Sequence, residues 1–150
     1  MMEPPRSTAQ RKADTLARLA GAVDCWVPSS GASGNAYLIP LSFVWHAERI
    51  ILATLAESST VRNLRRAGRM RIALDGTRDV VIVAGEVTIV AQGMLDETAA
   101  EAFRVAAGFE PRREANTYVY IVLTPRTIRA WREENELAGG EIMRDGQWLA

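Results

Sequence analysis

The 150-residue chain has only one cysteine, one histidine and one lysine. A single cysteine excludes an intrachain disulfide, and the apolar surroundings of Cys25 are typical of a buried structural thiol. His46, the only histidine, lies in a predicted hairpin turn without a metal-ligand companion, which excludes a Cys/His metal site and makes a hydrolytic triad improbable. We therefore expect an intracellular protein in which His46 is a solvent-facing turn residue.

Long apolar runs and an excess of one charge are missing too. No run approaches the length that crosses a bilayer, and residues 1–6 lack the apolar core of a signal peptide. The 18 basic side chains balance the 18 acidic ones, and no aromatic residue alternates with the five arginines between Arg62 and Arg71. We expect a cytoplasmic protein with no membrane partner, and nucleic-acid binding through these arginines is the weaker alternative.

The composition is that of a folded domain, because 48% of the residues are hydrophobic and 24% are charged. We expect one domain over residues 1–150, with residues 1–6 as a loose tail. Apolar, β-branched runs predict six strands, which cover residues 23–27, 36–45, 50–54, 70–75, 80–90 and 118–123. Helices bounded by capping residues and glycines are predicted over residues 8–20, 60–67 and 97–107. Residues 128–148 are ambiguous between strand and coil.

The order of these elements predicts the fold class. Most strands form hairpins, and the helices are inserted between them rather than alternating with every strand. This pattern indicates a mainly β fold, an antiparallel six-stranded barrel with short flanking helices, and not a parallel sheet.

The segment from Thr54 to Arg71 is the strongest candidate for a binding site. A strand ends at Thr54, three hydroxyl residues follow, and a helix begins. Free amides at a helix start and the positive end of its dipole favour an anion, and Arg62 could add charge-assisted contacts to a phosphate. The same residues also fit a structural role, with Ser59 as the N-cap and the arginines as a solvated face.

Several segments, taken in order, resemble the pyridoxamine 5'-phosphate oxidase-like family of FMN-binding split β-barrels. They are TLAESSTVRNLRR at residues 54–66, VAGEV at residues 83–87, PLSFVW at residues 40–45 and PRTIRAW at residues 125–131. Residues 40–45 are similar to the strand that passes under the flavin ring in that family, and residues 125–131 resemble its last barrel strand. The likeness covers about residues 22–132 and implies a split barrel and a homodimer. Members bind FMN or a deazaflavin coenzyme, and some bind other ligands such as haem products.

The resemblance also implies a set of cofactor-binding residues. Those around the phosphate are Ser58, Ser59, Thr60 and Asn63, with Arg62 or a neighbouring arginine to balance its charge. Those facing the ring system, largely through backbone groups, are Pro40, Leu41, Ser42 and Thr54. Trp131 is expected near the ring or, equally, in the core or a dimer contact. The chain departs from the family at Thr60, where many members carry a lysine.

The leading hypothesis is an FMN- or deazaflavin-dependent oxidoreductase that acts on a small-molecule substrate. Its catalytic residues are unknown, since in this chemistry the cofactor carries the hydride. The alternative is a non-enzymatic protein that binds a flavin or another planar ligand in the same groove. A homodimer is expected in either case, because a barrel this small offers only a shallow groove that a partner chain would complete.

Overall fold

Eight strands and three α-helices follow one another along residues 2–150, the part of the chain that this computed structural model describes. The helices are α1 (Thr8–Gly21), α2 (Ser59–Ala67) and α3 (Glu97–Ala107). The strands are β1 (Asp24–Ser30), β2 (Ala36–His46), β3 (Arg49–Leu55), β4 (Arg69–Leu74), β5 (Val80–Ala91), β6 (Tyr118–Trp131), β7 (Glu141–Arg144) and β8 (Gln147–Trp148). Two 3-10 turns cover Pro111–Arg113 and Glu134–Glu136.

The first six strands form a closed antiparallel barrel. Their order is β3-β2-β1-β4-β5-β6, and pairing of β3 with β6 closes the ring. The β7–β8 hairpin extends the sheet beyond the barrel, because β7 pairs with Ile128 and Arg129 near the end of β6. The predicted mainly β fold with a six-stranded antiparallel barrel is therefore confirmed, and two short strands are added to it.

The barrel is split because β2 changes partners halfway along its length. Residues 36–42 pair with β1, whereas residues 43–46 pair with β3. On the other side of the opening, β3 loses β2 after Leu52 and continues beside β6 as far as Leu55. Thr54 and the first half of β2 therefore stand on opposite sides of a gap in the hydrogen-bonded sheet.

The last barrel strand is much longer than the predicted range of residues 118–123. Strand β6 runs on through Pro125 to Trp131, and the ambiguous segment resolves into its end and the β7–β8 hairpin. Proline lacks the amide that a sheet ladder needs, and so it usually indicates the end of a central strand. Here Pro125 lies where the register with β5 shifts, a place where the ladder is already interrupted.

Two apolar clusters hold the barrel together. The larger fills its interior and includes Val27, Phe43, Ile72, Val83 and Leu123, all fully buried. The smaller lies between α3 and the barrel and consists of Ile51, Ala53, Ala99, Ala100, Phe103 and Tyr120. None of the helices within residues 2–150 combines the length and the hydrophobicity needed to cross a bilayer.

The N-terminal helix begins as predicted, but its surroundings differ from the expectation. The Ser7 hydroxyl accepts a hydrogen bond from the Gln10 amide, while the Gln10 side chain binds Asp14 instead of completing a capping box. Arg6, which was included in the expected loose tail, binds Glu136 through a guanidinium–carboxylate distance of 2.8 Å. Met1, the first residue of that tail, lies outside the described residues.

Candidate functional site

Helix α2 begins at the end of β3 and packs across one end of the barrel. Its N-cap is Ser58, whose hydroxyl accepts a hydrogen bond from the Val61 amide at 3.3 Å, so the assignment of Ser59 as the cap was wrong. Val61 and Leu64 are each 1% exposed, so both side chains face the barrel. Gly68 ends the helix in the left-handed conformation, with a φ of 71°. The buried side of the helix is therefore held against the barrel, while Arg62 in its first turn is exposed.

The guanidinium of Arg62 folds back over that first turn. It donates to the Ser59 hydroxyl at 3.0 Å and to the Glu57 carbonyl. Within residues 2–150, neither the Ser59 amide nor the Thr60 amide donates a hydrogen bond to another protein group. Two free amides, a hydroxyl and a guanidinium thus lie together at the positive end of a helix dipole.

Thr60 occupies the position where the family often has a lysine, and it points inward. Its side chain is completely buried, and its hydroxyl oxygen has no hydrogen-bond partner among the described residues. A buried hydroxyl without a partner costs about 1–3 kcal/mol, so such an atom usually has a role or a missing partner.

Asn63 is part of a structural network. Its amide nitrogen donates to the Ser29 hydroxyl at 3.0 Å, and its amide oxygen accepts from Arg66 at 3.1 Å. Arg66 also donates to the Ser30 carbonyl at 2.7 Å. These bonds tie α2 to the end of β1, which leaves the Asn63 side chain with little capacity to bind a phosphate.

The residues predicted to face a ring system lie on the two sides of the split. Pro40, Leu41 and Ser42 belong to the part of β2 that pairs only with β1, and Thr54 belongs to the part of β3 that pairs only with β6. Leu41 packs against the barrel core, and Ser42 donates to Asp24 at 2.7 Å, so both side chains are engaged. The groups these residues can offer a ring are mainly backbone groups, as the resemblance implies.

Within one chain, Trp131 does not lie near the residues on the two sides of the split. It lies opposite Val80 at the end of β6, whereas Thr54 lies opposite Val119 near the other end of the same 14-residue strand. The Arg129 guanidinium lies 5.2 Å from the centre of the Trp131 ring and stacks on it.

His46 and Cys25, the two residues considered for their chemistry, lie in surroundings that fit a structural role. His46 is the last residue of β2 and is half-buried there, rather than a solvent-facing turn residue. Burial raises the pKa of the Cys25 thiol to about 12, so the thiolate needed for nucleophilic attack is not formed near neutral pH. Among residues 2–150, no group of three or more His, Cys, Asp or Glu side chains is placed to hold a metal ion.

The groups at the start of α2 fit a phosphate. A phosphate needs several converging donors and positive charge, and the Ser59 and Thr60 amides with the Arg62 guanidinium supply both. The Thr60 side chain is completely buried, so Thr60 can offer a phosphate its backbone amide but not its hydroxyl. Ser58, Ser59, Thr60 and Arg62 thus lie together at the start of α2, which follows Thr54 at the edge of the split by a short loop.

The sequence analysis missed a second concave region, on the other side of α2. Three arginines line it, Arg69 and Arg71 from β4 and Arg126 from the bulge in β6. A signal was present, because Gly85 interrupts a β-branched run, and an isolated glycine in a strand suggests a bulge.

Comparison with known proteins agrees with this architecture. The sequence profile described as pyridoxamine 5'-phosphate oxidase matches residues 14–132. None of the curated proteins matches the chain in sequence.

Three solved structures illustrate the similarity. A conserved hypothetical protein from Mycobacterium tuberculosis is 18% identical, with a TM-score of 0.64 over 83% of this chain and 86% of that one. An F420 reductase is 16% identical, with a TM-score of 0.61 over 75% and 93%. A haem-binding protein from Mycobacterium smegmatis is 17% identical, with a TM-score of 0.65 over 89% and 57%. At these identities the likeness shows a shared fold.

Proposed function

Because the chain belongs to the pyridoxamine 5'-phosphate oxidase family, we propose that it binds FMN or a deazaflavin coenzyme between two subunits and acts as an oxidoreductase on a small molecule. The observation that carries this proposal is the start of α2. Two free amides, the Ser59 hydroxyl and the Arg62 guanidinium lie there in the first turn of a helix. This arrangement favours a phosphate over a neutral or cationic group.

The residues of the chain would bind and orient the cofactor, which when bound supplies the hydride chemistry. Ser59, Thr60 and Arg62 would hold the phosphate. The backbone of Pro40 and Leu41 on one side of the split, and of Thr54 on the other, would position the ring. Backbone groups that have lost their strand partner at the split are available for hydrogen bonds to polar atoms of a ring.

A homodimer is part of the proposal because an apolar row lies on the outside of the barrel. Trp26 lies opposite Pro40, and Pro28 lies opposite Leu38, on the outward face of β1 and β2. Trp26 is 42% exposed and Leu38 is 58% exposed, which is unusual for side chains of this size at neighbouring positions. A second copy that packed there would cover this row and close the open side of the split.

The alternative proposal is a non-enzymatic protein that binds a flavin or another planar ligand. Two observations favour it over catalysis. The lysine of many family members is replaced by the buried Thr60, and a structural relative is a haem-binding protein.

The test is a titration of the apo-protein with FMN and with a deazaflavin coenzyme, followed by fluorescence. We expect dissociation below about 100 μM for at least one of them. Arg62→Ala should weaken binding by roughly 10- to 100-fold, since it removes a charged hydrogen bond, and Ser59→Ala should weaken it less. Arg65→Ala is the matched control, because Arg65 is an exposed arginine on the same helix that makes no contact with the first turn.

The result decides between the proposals. Binding weaker than about 100 μM for both cofactors, or equal effects of Arg62→Ala and Arg65→Ala, would show that the phosphate site is wrong. Binding without any hydride transfer from reduced nicotinamide or reduced deazaflavin donors would favour the non-enzymatic alternative.

A further inference from the structure

A groove of about 730 Å³ lies on the outer face of the barrel, beside the second half of α2. Strands β1, β4, β5 and β6 contribute to its walls, and α2 borders it from Asn63 onward. Ser58, Ser59, Thr60 and Arg62 do not line it. The groove is therefore separate from the proposed phosphate site, although the same helix borders both.

The floor of the groove is made of small and apolar residues. Ala84 and Gly85 of β5 lie where β6 bulges, because Ala84 pairs with Thr127 and Gly85 pairs with Pro125, which leaves Arg126 as the extra residue. A side chain on Gly85 would collide with the backbone of β6. Ala67 and Pro28 complete a floor on which a flat apolar body can lie.

The lining of the groove carries more positive than negative charge. Arg69, Arg71 and Arg126 all line it, and none of them forms an ion pair within residues 2–150. By contrast, other arginines of the chain are in ion pairs, namely Arg6, Arg18, Arg49, Arg104, Arg112, Arg132 and Arg144. Glu86 is the single acidic residue of the lining, so three guanidinium groups face one carboxylate.

Hydroxyl and amide groups complete the lining and are held in place. Ser29 accepts from Asn63, and the Ser30 carbonyl accepts from Arg66, so the end of β1 is tied to α2 at the rim. Thr127 adds a hydroxyl from β6. A groove whose walls are fixed before binding loses less entropy when it takes up a ligand.

We propose that this groove binds a small organic anion, with a flat apolar body over Ala84 and Gly85 and a phosphate or carboxylate among Arg69, Arg71 and Arg126. The volume lies within the range of about 300–1,000 Å³ typical of small-molecule sites. Guanidinium groups bind phosphate and carboxylate through paired hydrogen bonds, and three unpaired ones next to an apolar floor match an anion with a hydrophobic part. This site goes beyond the cofactor site and does not require that a flavin is bound.

The experiment measures binding of phenyl phosphate to the full chain by calorimetry, with benzyl alcohol and inorganic phosphate as partial probes. Phenyl phosphate should bind more tightly than either, because only it has both the ring and the anion. Arg71→Gln and Arg126→Gln should each weaken its binding roughly 10-fold or more. Glu86→Gln should strengthen binding, since it removes the one negative charge of the lining. Arg113→Gln is the matched control, an exposed arginine outside the groove.

Four results would overturn the proposal. The first is no binding of phenyl phosphate to the wild-type chain, and the second is an equal loss in Arg113→Gln. The third is displacement of phenyl phosphate by saturating FMN or deazaflavin, which would make the groove part of the cofactor site. The fourth is a changed sedimentation coefficient in Arg71→Gln, which would make it an interface between copies of the chain. If only the FMN titration fails, the proposed cofactor site is wrong but the proposed anion site in the groove is unaffected. The two proposals can therefore be tested independently.

Discussion

Gly85 and Thr124 approach each other so closely that a Cβ atom on Gly85 would lie 2.0 Å from the Thr124 carbonyl oxygen. The same atom would lie 2.9 Å from the carbonyl carbon and 3.0 Å from the Arg126 amide nitrogen. The obstacle is therefore backbone, which cannot swing aside as the end of a side chain can. This contact allows β6 to bulge beside β5 and brings Arg126 to the rim of the groove.

Gly85→Ala should lower the free energy of unfolding by about 1–3 kcal/mol or more, as overpacking against a fixed backbone does. Gly93→Ala is the control, because nothing lies within 4 Å of a Cβ at Gly93 and its φ is not in the left-handed region. Chemical denaturation of both variants measures the difference. Similar stabilities for the two variants would contradict the close approach.

The ion pair between Arg6 and Glu136 should make the free energy of unfolding depend on pH in the acidic range. Hydrogen bonds from the Arg6 side chain lower the pKa of Glu136 from 4.5 to about 2, so the folded state favours the ionised carboxylate. The ionised pair contributes at most about 3 kcal/mol to the free energy of unfolding. This contribution is complete above about pH 4.5 and is lost as the pH falls towards 2.

Glu136→Gln should therefore destabilise the protein at pH 7 and flatten the loss of stability below pH 5, as measured by denaturation at a series of pH values. Glu141→Gln is the control, since Glu141 forms an exposed pair with Arg144, and such pairs contribute little. An unchanged pH profile in Glu136→Gln would contradict the assignment.

Trp26→Glu should separate the proposed dimer. It places a charge in the exposed apolar row that Trp26, Pro40 and Leu38 form on β1 and β2, and it leaves the barrel interior untouched. Val105→Glu is the control, because Val105 is 67% exposed on α3, away from that row. Sedimentation at micromolar concentration should show a dimer for the wild type and the control, and a monomer for Trp26→Glu. A monomeric wild type would refute the dimer.

Thr60→Val should leave stability unchanged or raise it slightly, because the buried hydroxyl has no partner to lose. The same variant should bind FMN as tightly as the wild type, because Thr60 would hold the phosphate through its backbone amide, which the substitution leaves in place. Thermal unfolding and FMN titration of one preparation measure both effects. A clear loss of stability would mean that the hydroxyl has a structural partner.

Cys25 should resist a maleimide reagent in the folded protein at pH 7.5 and react fully in guanidinium chloride. Its side chain is 2% exposed, and burial raises its pKa to about 12, so both access and thiolate are lacking. Mass spectrometry of the labelled chain measures the extent of reaction. Rapid labelling of the native protein would show that β1 opens readily.

The helix ends were predictable because their causes lie within a few residues. Ser7 and Asp96 cap their helices as predicted, and Gly68 and Gly108 end α2 and α3 in the left-handed conformation. The N-cap of α2 is Ser58 and not the expected Ser59, which shows the precision with which a cap can be predicted from sequence. Two adjacent serines are chemically equivalent candidates, so the sequence alone does not choose between them.

By itself the sequence determined where the six barrel strands lie, the hairpins, most helix ends and the hydroxyl-rich start of α2, since hydrophobic period and capping chemistry act between neighbours in the chain. The tertiary structure alone decided how β2 divides its pairing between β1 and β3, and which arginines meet in one groove. It also decided that Thr60 points inward and that Trp131 lies away from Thr54. These features depend on packing between elements far apart in the chain, whereas the hydrophobic period and the turn residues specify only pairings between strands that follow one another closely.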